Sequence, residues 1–448
     1  MKMKYIKAAI TTVLGVAALS AEASGVVSDG WCEALKPTAE SATYTSQSTL
    51  SPVIGDWSGN LNLGSASLAI VFHIEQKEGG GYKASMDSPD QGAKDIEAKI
   101  NVIGEDSVVI KIPMIGFKYN GKVTGDLMAG NISQLGQRLR LDLKRGSLKP
   151  LSRPQTPKEI TYLTEEVMFQ TTSTSEAMLS GTLSYPDGYD PASRKKPVAV
   201  VMVTGSGLQD RDETVFEHRP FAVIADRLAR AGVASLRYDD RGFGKSTGDA
   251  STATTQTNAE DAEGAIKYLR ESGKFSKIGV LGHSEGGSIA FIEGAKGNAD
   301  FIITLGAPAF KGDSIVTAQV NRALSDAGQT DRIAVADYRA RFSSQTSVNP
   351  WLAWFLDYDP SRDISNTKVP VMALGGELDV QVPASSNIPR IRQLLPKNKK
   401  NLVKSYPGLN HLMQPASTGQ ITEYRTIETT ISEEVLADII QWITKTAK

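Results

Sequence analysis

The chain has 448 residues, of which 22% are charged and 40% hydrophobic, with a formal net charge of -1. That length fits two or three domains. The near-zero charge gives no electrostatic case for nucleic acid or an anionic membrane, and no apolar run beyond the N-terminus approaches the ~20 residues of a membrane span.

Lys2, Lys4 and Lys7 precede an apolar run from Ala8 to Leu19, and Ala21-Glu22-Ala23 supplies a small-x-small pattern. This is the layout of a signal peptide over 1–23, cut after Ala23. It predicts a mature chain that is periplasmic or secreted. Cys32 is the single cysteine, so no intrachain disulfide is expected. Trp31 stands before it where a lipoprotein site needs a small residue. Residues 24–50, rich in Ser, Thr and Ala, read as a leader.

From 51 to 147 the pattern is short and alternating, as in Leu68 to Ile74, Val108 to Ile112 and Arg138 to Leu143. Glycine turns separate the runs, at Gly79-Gly80-Gly81 and Asn120-Gly121. The spacing predicts a compact antiparallel β domain of about seven or eight strands, a barrel or a sandwich. Pro150, Pro154 and Pro157 mark a linker over 148–160.

From 161 to 448 strands alternate with helices, the pattern of an α/β domain with a mostly parallel sheet. Val167 to Gln170 and Met178 to Leu183 form an opening hairpin. The strand Pro197 to Val203 ends in Thr204-Gly205-Ser206-Gly207-Leu208. Asp210, Arg211, Asp212 and Glu213 face Asp239, Asp240 and Arg241 as expected ion pairs bracing two loops. Gly242-Phe243-Gly244-Lys245-Ser246 lacks the first glycine of a phosphate loop, which would fall at Asp239. Gly205-Ser206-Gly207 lacks the third glycine of a dinucleotide fingerprint.

The apolar run Ile278 to Leu281 leads into Gly282-His283-Ser284-Glu285-Gly286, followed by a helix of small residues. A strand, a G-x-S-x-G turn and a helix make a nucleophile elbow, with the serine hydroxyl lifted clear of the sheet. A serine at neutral pH needs a base, usually an imidazole oriented by a carboxylate. The four histidines are His73, His218, His283 and His411. His73 lies in an upstream strand, His218 in a charged loop, and His283 inside the elbow with its ring expected to point away from the Ser284 hydroxyl. His411, in a late loop after Leu402-Val403, is the candidate base. The carboxylate should follow a strand between serine and histidine. After Pro370 to Leu374, Asp379 is preferred, with Glu377 as the competitor.

The oxyanion of a tetrahedral intermediate needs preorganised N–H donors. The Glu285 N–H is one, and the Ser206 N–H the other, with Leu208 as second choice. Residues 311–366 read as a helical cap. Trp351, Leu352, Trp354, Phe355 and Leu356 form its apolar cluster, and Leu208, Trp351, Trp354 and Phe355 are candidate pocket walls. No His-Glu-x-x-His or paired-cysteine spacing supports a metal, and no cofactor is expected.

The segments Gly205 to Glu213, Tyr238 to Ser246 and Gly282 to Gly287 resemble the α/β-hydrolase superfamily, and most of all the bacterial carboxylesterases of the EstD type and the related serine aminopeptidase-like hydrolases. The resemblance runs from about Thr161 to the C-terminus. It implies an α/β-hydrolase fold with a helical cap, and ester hydrolysis through an acyl-enzyme with Ser284 as nucleophile, Asp379 as acid and His411 as base. The β domain is similar to a lipocalin-like N-terminal domain attached to some such esterases. Thr204 departs from the histidine many esterases carry in the oxyanion loop. The expected substrates are small carboxylic esters with short or medium acyl chains. An aminopeptidase or thioesterase uses the same machinery, and a non-catalytic lipid- or glycan-binding protein is the rival from another class. No nucleic-acid partner and no stable membrane span are expected, and a homo-oligomer is left open.

Overall fold

The computed structural model describes residues 51–447 apart from 63–66, 92, 114–115, 135–136, 149–150, 175, 327, 342 and 344–348. The expected export signal, the expected leader and Cys32 lie outside the described residues. The chain forms two units, one holding 51–88 and 93–149, the other 89–92 and 150–448.

The first unit contains nine strands: β1 (Gly55–Asn62), β2 (Ser67–Gln76), β3 (Tyr82–Ser88), β4 (Ala93–Ile103), β5 (Ser107–Ile112), β6 (Phe117–Thr124), β7 (Leu127–Gln134), β8 (Gln137–Arg140) and β9 (Leu143–Arg145). Their order is β6-β5-β4-β3-β2-β1-β9-β7-β8 with an additional β6–β7 pairing. Every pairing is antiparallel and the sheet closes on itself, so the unit is a barrel rather than a sandwich. β8 and β9 pair with successive stretches of β7 and act as one broken stave. Alternate residues point inward, and Trp57, Phe72, Met86, Ile110, Tyr119 and Met128 fill the interior. The Tyr119 hydroxyl donates to the Met128 carbonyl at 3.0 Å. Its ring occupies space that a side chain at residue 130 would need: a Cβ on Gly130 would stand 2.5 Å from it.

The second unit has an eight-stranded sheet. Its strands are β10 (Thr164–Gln170), β11 (Met178–Ser184), β12 (Val198–Val203), β13 (Val233–Tyr238), β14 (Lys277–His283), β15 (Phe301–Leu305), β16 (Val371–Gly376) and β17 (Leu402–Tyr406). The order is β10-β11-β13-β12-β14-β15-β16-β17. β10 and β11 form the antiparallel hairpin at one edge, and β13 through β17 run parallel with β12. The chain goes from β12 to β13 on one side, then to β14 on the other. That reversal opens a crevice at the carboxyl ends of β12 and β14, where open α/β sheets bind ligands.

Nine helices are described: α1 (Pro220–Arg230), α2 (Thr255–Glu271), α3 (Glu285–Lys296), α4 (Gly312–Asp326), α5 (Val335–Arg341), α6 (Pro350–Asp357), α7 (Ser361–Asn366), α8 (Ala384–Leu394) and α9 (Glu433–Thr446). The parallel strands are apolar on both faces because helices cover both. Ala199, Val201 and Val203 face a core shared with α2, α3, α7 and α8. Val200 and Met202 face a second core shared with α1 and α9. Each such fully buried aliphatic side chain is worth roughly 1.5–3 kcal/mol.

The expected linker over 148–160 is tied to this unit. The Arg153 guanidinium donates to the carbonyls of Phe216, Arg425 and Ile427, and Gln155 bonds to Thr430 and Ile431. Among the described residues no helix is long and apolar enough to cross a membrane.

Candidate active site

β14 ends at His283 and α3 begins at Glu285, so Ser284 is the residue of the turn. Its backbone has φ 53 and ψ -116, a strained conformation that costs on the order of 1–3 kcal/mol. The flanking glycines are required by space. A Cβ on Gly282 would lie 1.9 Å from the Gly286 carbonyl oxygen, and one on Gly286 would lie 2.1 Å from that of Val203. The turn is pinned by the Ser284 N–H, which donates to the Leu305 carbonyl at 2.8 Å. Ser284 is partly exposed while its neighbours on both sides are buried.

Asp379 follows β16 and His411 follows β17. Both are buried, and His411 Nδ1 donates to Asp379 Oδ2 at 2.6 Å. The other carboxylate oxygen accepts the N–H groups of Gln381 at 2.8 Å and Val382 at 2.7 Å. With Nδ1 donating to Asp379, the His411 lone pair is at Nε2. Glu377 is exposed and accepts from the Ser405 hydroxyl at 2.8 Å instead. Gly306 marks where the segments meet. A Cβ there would stand 3.0 Å from His411 Nδ1 and 3.4 Å from Asp379 Oδ2, one residue beyond the carbonyl that holds Ser284. The His283 and His411 rings are 4.7 Å apart.

The loop after β12 passes close to the serine, since a Cβ on Gly205 would be 3.3 Å from that of Ser284. The Gly205 N–H is taken by Glu213 Oε1 at 2.7 Å, which leaves the following residues, Ser206 and Leu208, as oxyanion candidates. The loop is braced only in part by the expected ion pairs. Arg211 makes a bidentate pair with Asp239 at 3.0 and 2.8 Å, and Arg237 pairs with Asp212. Arg241, however, turns to Asp261 of α2 at 2.6 Å. Asp240 takes neutral donors, the Thr204 hydroxyl at 2.9 Å and the Gln209 N–H at 2.8 Å. Burial pushes the Asp240 carboxyl well above the ordinary carboxylate range, against those hydrogen bonds.

The Glu285 side chain turns back from the elbow. It accepts the Thr255 hydroxyl at 2.7 Å and the Trp351 indole N–H at 2.9 Å to both oxygens. Burial raises its pKa, and hydrogen bonds from Ser206, Thr255 and Trp351 oppose the rise. Trp351 therefore ties the cap helix α6 to the residue after the serine, and its ring stacks on Phe355 at 5.2 Å. Trp354, expected as a pocket wall, stacks on Tyr358 at 4.8 Å and packs on the body core. Leu208 is buried.

The other histidines are accounted for. His73 sits in the barrel between Asp56 at 2.7 Å and Asp87 at 3.3 Å. His218, placed by its sequence in a charged loop, is buried against Thr430, Tyr424 and Gln414. Burial and the nearby Arg153 lower its pKa to about 4. His283 points away from the serine hydroxyl toward Glu213, at 2.9 Å. The Glu213–His283 pair is what the sequence reading missed, because Glu213 was assigned to the loop ion pairs. Among the described residues no cluster of His, Cys, Asp or Glu could hold a metal.

A strained serine elbow after the central parallel strand, with a carboxylate and a histidine following two later strands, decides the fold. The C-terminal body has the α/β-hydrolase fold. Residues 217–348 match the family model described as serine aminopeptidase, S33. The chain is 28% identical over 279 residues to the esterase EstD of Thermotoga maritima, a match covering 60% of this chain and 66% of that protein. It thus spans just under two thirds of that relative's length. Among solved structures, an esterase of Pyrococcus furiosus is 17% identical, with 67% of this chain and 100% of that one covered and a TM-score of 0.44. Est1E from Butyrivibrio proteoclasticus, solved with ferulic acid bound, is 17% identical over 63% of this chain and 100% of its own, with a TM-score of 0.43.

Proposed function

We propose that the protein is an exported serine hydrolase that cleaves carboxylic esters of short or medium acyl chains. Ser284 Oγ attacks the acyl carbon while His411 Nε2 takes its proton, and Asp379 holds the imidazole and stabilises the imidazolium that forms. The developing oxyanion is received by the N–H groups of Glu285 and Ser206. Collapse breaks the ester bond, and His411 returns the proton to the leaving alcohol. A water, deprotonated by His411, then releases the acid and regenerates Ser284. The observation that carries this reading is the buried 2.6 Å hydrogen bond from His411 to Asp379 beside the strained Ser284. Export rests on the Lys2-to-Ala23 pattern, and a secreted or periplasmic product starting at Ser24 is the outcome that N-terminal sequencing should give.

The family model favours a second reading, an aminopeptidase with the same three residues. A panel of p-nitrophenyl acyl esters of graded length beside aminoacyl-anilides separates the two. Turnover of the esters with a chain-length optimum, lost in Ser284→Ala, is the expected result. Preference for the anilides selects the peptidase, and no turnover of either selects a non-catalytic binding protein.

A further inference from the structure

His283 takes no part in the reaction just described, yet its ring is buried at the centre of the site. Nδ1 faces Glu213 Oε1 at 2.9 Å, and Nε2 faces the carbonyl oxygen of His411 at 3.1 Å. A carboxylate and a carbonyl only accept, whereas a neutral imidazole donates from one nitrogen alone. Both contacts are satisfied when the ring is doubly protonated opposite an ionised Glu213. Burial opposes that charge, but the charge and hydrogen bond of Glu213, the His411 carbonyl and the charge of Asp379 outweigh it, so the His283 pKa is raised. The groups that act on the ring are Glu213 from the 205–214 loop, Asp379 after β16, and the His411 ring and carbonyl after β17.

Glu213 is itself fixed. Its φ is 53, and its N–H donates to the Asp210 carbonyl at 2.9 Å. The adjoining Arg211 is clamped by Asp239. The same Oε1 that meets His283 accepts the Gly205 N–H at 2.7 Å. One carboxylate and one imidazole thus join three segments: the loop bearing Ser206, the strand end bearing Ser284, and the loop bearing His411.

We propose that Glu213 and His283 are positioning residues, a buried carboxylate–imidazolium bridge that carries the backbone of His411 and the start of the 205–208 loop and so sets base and oxyanion donor against Ser284. This role rests on the reading of Ser284, His411 and Asp379 as the reacting set. Neither residue touches a reacting atom. Their effect comes through placement, to which turnover is sensitive at the level of about a hundredfold per ångström.

Two variants split the bridge. His283→Asn keeps a donor toward Glu213 and deletes the one toward the His411 carbonyl, whereas Glu213→Gln removes the charge. Each is expected to lower kcat about tenfold to a hundredfold with KM within about twofold, the pattern of an interaction that matters in the transition state. The low-field proton resonance of the His411–Asp379 hydrogen bond should weaken or shift in both, while fluorophosphonate labelling of Ser284 slows but persists. Folded variants with unchanged kcat and an unchanged low-field resonance overturn the proposal. If the variants do not fold, the wild-type histidine nitrogen spectrum decides. His283 protonated at both nitrogens from about pH 6 to about pH 8 supports the bridge, and an unprotonated Nε2 overturns it. If the wild type neither turns over esters nor takes the probe, the hydrolase reading has failed, and the nitrogen spectrum still reads the bridge.

Discussion

The barrel and the α/β body bury apolar side chains by the same rules but treat charge in opposite ways. In the barrel, the interior is Trp57, Phe72, Ile110, Tyr119 and Met128, and its one histidine, His73, sits half-buried between two aspartates. In the body, Glu213, Asp261, His283, Glu285, Asp379 and His411 are all buried, and all but Asp261 gather at the carboxyl ends of β12, β14, β16 and β17. Burying an ionisable group is costly unless it is paired and hydrogen-bonded. Among its described residues the barrel buries no carboxylate or imidazole as fully. The body accepts that cost at several places, His218, Asp226, Asp261 and Glu293 among them, and concentrates five such groups at the carboxyl ends of four strands, the physical signature of a site where proton positions matter.

Substitutions can break that contrast. The largest effect is expected at the elbow. Gly282→Ala puts a Cβ 1.9 Å from the Gly286 carbonyl, so α3 cannot start where it does. Stability should fall by about 3 kcal/mol or more and turnover should vanish, as read by urea unfolding and ester hydrolysis. A loss below about 1 kcal/mol would contradict the elbow geometry.

The next effect is a pH dependence in the body. His218 has its pKa lowered from 6.5 to about 4 in the folded chain. The unfolded chain therefore takes up the proton first. The stability His218 contributes is present above about pH 6.5 and is lost as pH falls toward 4, for a total of about 3 kcal/mol. Thermal midpoints of wild type and His218→Asn between pH 7 and pH 4 measure it, and the wild type should lose more. His283 has the opposite sign. Its raised pKa means its contribution is complete at low pH and is lost as pH rises through the folded value.

A smaller effect is expected where the cap meets the elbow. Trp351→Phe keeps the stacking on Phe355 but removes both hydrogen bonds to Glu285. The buried carboxylate loses its indole donor, at about 1–3 kcal/mol, and kcat should fall because Glu285 follows the nucleophile. The smallest effect is Tyr119→Phe in the barrel. Losing the bond to the Met128 carbonyl should cost about 1 kcal/mol and leave kcat unchanged. A drop in kcat there would show that the barrel takes part in turnover.

The strand before Ser284 and the strand before Asp379 were legible in the sequence because buried parallel strands read as unbroken apolar runs such as Val198 to Val203, whereas the strand before His411 is mostly half-buried and carries a weaker pattern. The elbow is local, and its glycines announce it. Three other features depend on chain segments far apart. Barrel closure needs β1 to meet β9 and β6 to meet β7, and alternation alone fits a sandwich equally well. His218 stands in a charged loop beside Glu217 and Arg219, and its burial against Tyr424, Thr430 and Gln414 comes from a segment 196 to 212 residues away. The Glu213–His283 contact spans 70 residues, and Glu213 lies in a run of charges that offered nearer partners. The indole N–H of Trp351 was likewise hidden behind an apolar reading of its helix.

The central claim is that Ser284 is made reactive by His411 and Asp379. Its most direct test is labelling with a fluorophosphonate, followed by peptide mapping of the adduct. A single adduct on Ser284, absent in Ser284→Ala and strongly slowed in His411→Ala, is the predicted result. An unlabelled wild type, or an adduct on any other residue, would contradict it.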